Sequence, residues 1–349
     1  FSLEKPPEFK GPLEPNTLLQ KASRLYLDEV KGPESIVVDG GKLFYHVYTG
    51  TMDGKVIDIF QGHVKVLAQL GKPPCGKFED EPTCGRPLGL KLDKEGYLIV
   101  VDAYLGLYRI NVATGNINFL FDSKEKILGY RPVFLNDVVI LKDGTMYITD
   151  SSRKWDRRHH PYSILEAEDS GRLLKFSKGK MTEEVTGISF ANGVVLSKNE
   201  DFVLICETTK ARILKYHLSG NKKGELEIWS DNLPGLPDNI RPTSRGTYWV
   251  GLTGVRRADK FNFLDFVCDK PWIKTLVTKV LSMDLIKKVV PKYGLLIEVN
   301  SEGKIVRSLH DPTGEKIPAI SEAEEHNGVI YLGSYNLPYI SKLYVNDLK

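Results

Sequence analysis

The stretch LNDVVILKDGTMYITDSS, residues 135–152, carries the pattern that decides the fold. A polar residue precedes a short apolar strand, a turn with Gly or Asn follows, and a second strand ends in a small or acidic residue. The pattern recurs as FANGVVLSKNEDFVLICETT at 190–209 and as LPDNIRPTSRGTYWVGLTG at 236–254. Such a period is typical of propellers or solenoids. About six units result when they are counted from Pro33, Arg86, Leu135, Ala191, Pro237 and Glu325.

The composition of the strands favours the propeller. Segments such as YLIVVDAY at 97–104 are rich in β-branched and aromatic residues and are bounded by Gly, Asn and Asp. Helical repeats would need longer segments with apolar residues at 3.6-residue spacing. A radial array of four-stranded sheets leaves only short, protected edges. We therefore predict an all-β propeller, with residues 17–349 forming a single domain.

The overall charge and the N-terminal segment limit the possible partners. The chain of 349 residues has 48 basic and 45 acidic residues, a mixed surface without the footprint of a nucleic-acid-binding protein. No run approaches 18 apolar residues, so nothing in the sequence spans a membrane. Residues 1–16, with four prolines, predict an extended lead-in to the domain. Because the chain starts at Phe1, any membrane anchor would have to precede it.

Five side chains that carry oxygen stand just before the apolar strands. Two are carboxylates and three are amides, which suits Ca²⁺ because it takes six to eight oxygen ligands. Each one alone is more simply interpreted as a turn residue, but five in matching contexts favour a shared site where blades meet at one axis. The predicted ligands are Glu34, Asn136, Asn192, Asp238 and Asn239.

The cysteines indicate an oxidising compartment. Cys75 and Cys84 lie in PPCGKFEDEPTCGRP at 73–87, with no further Cys or His nearby to complete a zinc site. This favours a small loop closed by a disulfide. Cys206 is interpreted as a buried, inert thiol, and Cys268 as unpaired.

Two segments depart from the strand pattern. Residues 259–293 interrupt the fifth unit, and from Pro271 to Ile286 apolar residues follow helical spacing, which predicts a helical cap on one face. The same segment could serve as a lid or rest on a membrane surface. The basic stretch RKWDRRHHP at 153–161 is interpreted as a solvated loop, with His159 and His160 as a metal pair a remote alternative. The membrane interpretation assigns headgroup contacts to Lys274, Lys279, Lys287 and Lys288.

From about Pro15 to the C-terminus the chain resembles the strictosidine synthase-like family, through strings such as VDAYLGLYRIN, CGRPLGL, PDNIRP and EHNGVIYLGS. The resemblance implies a six-bladed β-propeller with Ca²⁺ in its central channel, held by the five residues above. It also implies arylesterase-type hydrolysis, the loop disulfide, and an N-terminal single-pass (type II) anchor that holds the domain on the extracellular or lumenal side of a membrane. The wider superfamily includes paraoxonases.

Three positions differ from these relatives. Ser321 stands where strictosidine synthase has its catalytic Glu, so alkaloid synthesis is disfavoured because a hydroxyl cannot replace a carboxylate base. Leu88 stands where paraoxonases place a His for proton transfer. Ser35 replaces an acidic residue that helps them hold a second Ca²⁺, which leaves that ion in doubt although Asp137 remains.

The sequence thus predicts a slow, Ca²⁺-dependent hydrolase of activated esters, acting on a small-molecule ester or lactone. Asp238 is the candidate nucleophile or general base, and His326 is the histidine expected to approach the channel. The alternative is a non-catalytic cell-surface propeller whose Ca²⁺ only joins the blades, and which serves adhesion or receptor binding.

Overall fold

The computed structural model describes residues 2–280 and 291–348, and its strands form six four-stranded antiparallel sheets. The first three sheets run β2 Ile36–Gly40, β3 Tyr45–Gly50, β4 Lys55–Phe60, β5 His63–Gln69; β6 Pro87–Leu92, β7 Tyr97–Asp102, β8 Gly106–Asn111, β9 Ile117–Asp122; and β10 Leu135–Ile140, β11 Met146–Asp150, β12 Gly171–Ser177, β13 Lys180–Ile188. The next three are β14 Ala191–Leu196, β15 Phe202–Glu207, β16 Arg212–His217, β17 Leu226–Ser230; β18 Gly235–Pro242, β19 Tyr248–Val255, β20 Gly294–Val299, β21 Ile305–Asp311; and β22 Glu322–His326, β23 Val329–Gly333, β24 Ile340–Tyr344, joined by β1 Ser23–Leu25.

The sheets are the blades of a propeller, as predicted. The first strand of each blade contacts the first strands of the two neighbouring blades, and β22 contacts β2, so the ring closes. These inner strands begin within three residues of the predicted unit starts, and Leu135 and Ala191 match them. Apolar clusters between neighbouring blades form the core, for example Leu204 and Ile213 of blade four with Ile240 and Val250 of blade five.

The last blade is completed by the N-terminal part of the chain. Strand β1 pairs with β24, with Ser23 opposite Lys342 and Leu25 opposite Ile340. Residues from both ends of the chain therefore share one sheet, with β1 as its outer strand. Strand β1 was not predicted from the sequence.

The inner strands share an irregularity that determines where their side chains point. The antiparallel register skips two residues in β6, β10, β14 and β18, between Pro87 and Leu90, Leu135 and Val138, Ala191 and Val194, and Pro237 and Ile240. Such bulges bend a strand and re-aim its side chains. The skipped pairs are Leu88-Gly89, Asn136-Asp137, Asn192-Gly193 and Asp238-Asn239.

Helices cover one face of the propeller, as predicted for residues 259–293. Helices α3 (Phe263–Val267) and α4 (Pro271–Val280) pack with α2 (His160–Glu166) through Leu165, Val267 and Val277. Residues 281–290, which include the predicted contacts Leu281, Ile286, Lys287 and Lys288, lie outside the described residues. The remaining helix is α1 (Glu81–Cys84), and 3-10 turns span Gly11–Leu13, Leu18–Lys21, Arg157–His159 and Val345–Leu348.

The prediction of a solvated loop at 153–161 is wrong. Arg157 forms a two-pronged ion pair with Glu81, with Nη2 2.6 Å from Oε2, and both side chains are mostly buried. His159 pairs with Asp156, whereas the Nδ1 of His160 lies 3.0 Å from the Arg157 carbonyl oxygen. The segment is folded because an ion pair and a helix hold it to the neighbouring blade.

The lead-in is extended and tied to blade five. Leu13 is buried, Ser308 Oγ donates to the Pro12 carbonyl at 2.7 Å, and Arg256 Nη2 donates to the Glu4 carbonyl at 2.8 Å. The predicted disulfide joins Cys75 and Cys84, and Cys206 and Cys268 are free and buried, as predicted.

Candidate metal centre and pocket

The bulges bring the predicted ligands together at one mouth of the central channel. Glu34 lies two residues before β2, while the other ligands occupy the bulges of β10, β14 and β18. Glu34, Asn136, Asn192 and Asp238 line one cavity. Asn239 adjoins them, because its Nδ2 donates to Glu34 Oε1 at 3.1 Å.

Close packing between blades accounts for the glycine in the bulge of β14. A Cβ atom on Gly193 would lie 2.4 Å from the Asn239 Cα and 2.5 Å from the Asp238 carbonyl oxygen. Only glycine therefore lets blade four approach the two ligands of blade five this closely.

The three asparagines present their amide oxygens to the same site. Their Nδ2 groups have acceptors: Asn136 donates to Ser151 Oγ at 2.9 Å and Asn192 to Thr208 Oγ1 at 3.1 Å, while Asn239 donates to Glu34. All three Oδ1 atoms are buried, and none has a hydrogen-bond partner among the described residues. An unsatisfied buried acceptor costs about 1–3 kcal/mol. Three such oxygens in one place fit a cation that prefers oxygen ligands.

Two buried carboxylates, Glu34 and Asp238, complete the predicted ligand set. Glu34 and Asp238 are almost fully buried. Burial, and then the charges of Asp238 and Asp137, hold the pKa of Glu34 well above its usual range. Burial raises the pKa of Asp238 to about 7, despite hydrogen bonds from Ser321 and Asn192. A bound cation would stabilise both ionised forms.

The donor set is mostly amide. Among residues 2–280 and 291–348, no three His, Cys, Asp or Glu side chains group closely enough to hold a metal ion. A soft or transition metal therefore has no matching shell in this part of the chain. The site suits Ca²⁺ by its oxygen chemistry, and the five-residue ligand set stays a prediction.

Deeper in the channel an arginine occupies the axis. Arg241 Nη1 lies 2.8 Å from Asp137 Oδ2, and Nη2 lies 2.8 Å from Glu322 Oε2. All three side chains are fully buried. The guanidinium thus compensates Asp137, the acidic residue that the sequence left available for a second ion. The sequence analysis missed Arg241, because its partners come from other blades.

The cavity above the ligands has a volume of about 390 Å³ and mainly apolar walls. Leu88 is one wall residue, which places the position of the paraoxonase histidine inside the pocket. The cap closes another side through Asn262, Phe263 and Leu264. Other apolar wall residues are Phe134, Ile164, Leu165, Phe190, Leu236 and Val255.

A histidine that the sequence analysis did not assign to the site lines the pocket. His160, at the start of α2, packs edge-on against Tyr335, with ring centroids 5.4 Å apart. A carbonyl oxygen can only accept, so Nδ1 of His160 donates to the Arg157 carbonyl oxygen. His160 lies in the basic stretch 153–161, which has no apolar periodicity, so nothing in the sequence indicated that it would reach the pocket.

Two other predicted residues have different outcomes. Ser321 is fully buried beside the ligands, where its carbonyl oxygen accepts from the Asn239 N–H at 3.0 Å and its hydroxyl contacts Asp238. The prediction for His326 is wrong: it ends β22, at the opposite end of the channel from Ser321, with Nε2 3.1 Å from the Gly40 carbonyl oxygen. Inner strands run along the axis, so the two ends of one strand open on different faces.

The comparisons with known sequences agree with one another. A family model described as "Strictosidine synthase-like, N-terminal" matches residues 11–59, and one described as "Strictosidine synthase" matches residues 136–221. Adipocyte plasma membrane-associated protein of Gallus gallus is 48% identical over 98% of this chain and 82% of that protein. The Homo sapiens protein is 43% identical over 98% of this chain and 82% of that protein. Hemomucin of Drosophila melanogaster is 33% identical over 98% of this chain and 64% of that protein.

Solved structures share the fold at much lower identity. A gluconolactonase from Xanthomonas campestris has a TM-score of 0.61 at 15% identity, covering 94% of this chain and 91% of that one. Regucalcin from Agrobacterium tumefaciens, described as a calcium-binding protein, has a TM-score of 0.58 at 13% identity, covering 92% of each. At these identities the likeness shows the fold alone. No helix in the described ranges is long and apolar enough to cross a membrane.

Proposed function

The chain belongs to the family of adipocyte plasma membrane-associated proteins, and from that premise we propose that it is a calcium-dependent hydrolase of carboxylic esters or lactones, with arylesterase-type activity on activated esters. The observation that carries the proposal is the floor of the cavity, where two buried carboxylates meet three buried amide oxygens that have no hydrogen-bond partner within residues 2–280 and 291–348. The names of the structural neighbours, a gluconolactonase and a calcium-binding protein, support this class of chemistry.

Glu34, Asn136, Asn192, Asp238 and Asn239 would hold the ion. Bound Ca²⁺ would supply a Lewis acid that polarises the substrate carbonyl and stabilises its oxyanion. The apolar walls exclude bulk water and favour the acyl or alcohol part of a lipophilic ester. The pocket's arginines, Arg157 and Arg256, are paired with Glu81 and Asp265.

Asp238 is the proposed base or nucleophile. Ser321 and Asn192 hold its carboxylate at the cavity floor, where it can face substrate. As a base it takes a proton from the water whose oxygen attacks the acyl carbon. The ester C–O bond then breaks, and the proton passes to the leaving alkoxide. His160 lines the same cavity and is proposed as a second group for proton transfer.

The first experiment separates a catalytic from a purely structural ion. Purified protein is stripped with a chelator, and melting temperature and hydrolysis of aryl acetates and of a lactone are measured as Ca²⁺ is restored. We expect both to rise together, and Asp238→Asn to abolish hydrolysis while the exposed control Asp143→Asn does not. A melting temperature that rises with Ca²⁺ while hydrolysis stays at background would make the protein a scaffold for adhesion or receptor binding. Hydrolysis that survives the chelator would overturn the calcium mechanism.

The proposed location is the extracellular or lumenal side of a membrane, through an anchor preceding this chain. The names of the relatives support membrane association, and the Cys75–Cys84 disulfide suits an oxidising compartment. Protease protection of the full-length protein in sealed microsomes tests the orientation. We expect the propeller to be protected until detergent is added, and digestion without detergent would contradict it.

A further inference from the structure

Helix α4 has two apolar faces, and only one of them is packed. Ile273 and Val277 point inward against Leu165 of α2. Trp272, Leu276 and Val280 follow one another at four-residue spacing, so they form a strip of their own roughly 80° around the helix from Ile273 and Val277, and their exposed fractions are 68%, 55% and 69%. A helix that only capped the pocket would need the first face alone.

The segment before α4 extends this outward surface. Phe261 is 71% exposed and Phe266 is 47% exposed, and their ring centroids lie 5.7 Å apart. We call the five residues Phe261, Phe266, Trp272, Leu276 and Val280 the outer apolar face. Clustered aromatic and aliphatic residues at a surface mark an interaction site, whereas single exposed ones do not.

The charges around this face are predominantly basic. Residues 256–280 contain six basic and three acidic side chains. The acidic ones are all paired: Asp259 with Arg257, Asp265 with Arg256, and Asp269 with Lys270. Lys260 and Lys279 are exposed and form no ion pair with any residue that the structure describes. Lysines beside a Trp-containing apolar face suit the phosphate layer above the acyl chains of a bilayer.

The N-terminal end of the chain lies at the same place. The Leu3 backbone N–H donates to Cys268 Sγ at the end of α3, at 3.4 Å. An anchor preceding residue 1, as proposed above, would therefore enter the membrane close to the outer apolar face. Charge and chain position both single out a lipid surface.

We propose that the outer apolar face of residues 261–280 docks on a phospholipid bilayer, with the aromatic rings at the level of the headgroups. The inner side of the same segment, through Asn262, Phe263 and Leu264, forms a wall of the pocket. Docking thus brings the pocket mouth to the membrane, where lipophilic substrates are concentrated. That consequence rests on the proposed hydrolase, whereas the docking does not.

Flotation of the 349-residue chain with vesicles tests the docking without any anchor. The probes are vesicles of phosphatidylcholine alone and of phosphatidylcholine with phosphatidylserine. We expect binding to both, stronger to the second, and at least a tenfold weaker affinity for Trp272→Gln combined with Leu276→Gln. The matched control, Leu43→Gln with Phe44→Gln, removes two residues that are 83% and 64% exposed in the turn after β2 and should bind as the wild type does.

Tryptophan fluorescence adds an independent measurement. Lipids brominated on their acyl chains should quench the wild type, and Trp272→Phe should bind while losing most of the quenching. The proposal is overturned if the wild type does not float, if the double variant floats equally well, or if Trp272→Phe is quenched as before. It is also overturned if sedimentation shows a dimer that the double variant loses, since the face would then bind a second copy of the chain. Each of these results leaves the chelator experiment on hydrolysis unaffected.

Discussion

At the scale of single residues, the three asparagines of the predicted calcium site should lower the stability of the ion-free protein and raise that of the protein with Ca²⁺ bound. Without a cation, the Oδ1 of Asn192 is a buried acceptor with no partner among the described residues, which costs stability. In the proposed calcium site the same oxygen is a ligand. An isosteric apolar side chain should therefore be tolerated by the ion-free protein and harm only the loaded one.

We predict that Asn192→Leu leaves the melting temperature in chelator unchanged or higher, and weakens Ca²⁺ binding at least about tenfold, since one ligand is lost. Titration of the melting temperature with Ca²⁺ gives both quantities. The control is Asn111→Leu, at the end of β8 and away from the pocket. An unchanged Ca²⁺ affinity would remove Asn192 from the ligand set.

The two adjacent histidines offer a second test at this scale. His160 lines the pocket, whereas His159 is held by Asp156, with Nδ1 2.6 Å from Oδ1. We predict that His160→Gln lowers kcat for aryl esters by about 10²-fold or more, because proton transfer contributes roughly 10²–10⁴-fold. His159→Gln should change it little. Equal effects of the two substitutions, or a change in melting temperature that accounts for the loss, would contradict a role in proton transfer.

At the scale of elements, the bulges of the inner strands control the site. Gly193 allows β14 to approach the ligand pair Asp238-Asn239, and a Cβ atom there would lie within 2.5 Å of both residues. We predict that Gly193→Ala displaces this pair and weakens Ca²⁺ binding at least about tenfold. Gly41→Ala, in an open turn with its nearest neighbour at 3.8 Å, is the matched control. A Gly193→Ala protein that binds Ca²⁺ normally would show that the bulges do not set the ligand geometry.

The elements also show what the sequence could and could not reveal. The inner strands, and the polar side chains that converge at one mouth of the channel, were predictable because each repeat carries the same local signal, a polar residue before an apolar strand. Helix α2 was missed because it is only seven residues long and is stabilised by α4, more than a hundred residues away. Strand β1 was missed for a similar reason: three residues, Ser-Arg-Leu, pair with a strand at the other end of the chain.

At the scale of the whole molecule, Arg241 joins the blades at the axis. From blade five it donates to Asp137 of blade three and to Glu322 of blade six, and its Nη1 also lies 3.3 Å from the Val194 carbonyl oxygen of blade four. One side chain therefore links four of the six blades. The sequence could not reveal this network, because residues that meet at the axis are far apart in the chain.

Removing Arg241 leaves two buried carboxylates without their cation, and breaking a buried ion pair in this way typically costs roughly 3–5 kcal/mol. We predict that Arg241→Met lowers the free energy of unfolding by about that amount, measured by urea denaturation. Adding Asp137→Asn and Glu322→Gln to the same chain should restore much of the lost free energy of unfolding, because the uncompensated charges are gone. The control is Arg109→Met, at a partly exposed ion pair, which should cost about 1 kcal/mol or less. If Arg241→Met and Arg109→Met lower the free energy of unfolding by the same amount, Arg241 does not stabilise the contacts between the blades. If Arg241 and its two carboxylates link the blades, a bound ion is not needed for that purpose. The predicted oxygen ligands above Arg241 can then hold an ion whose role is catalytic.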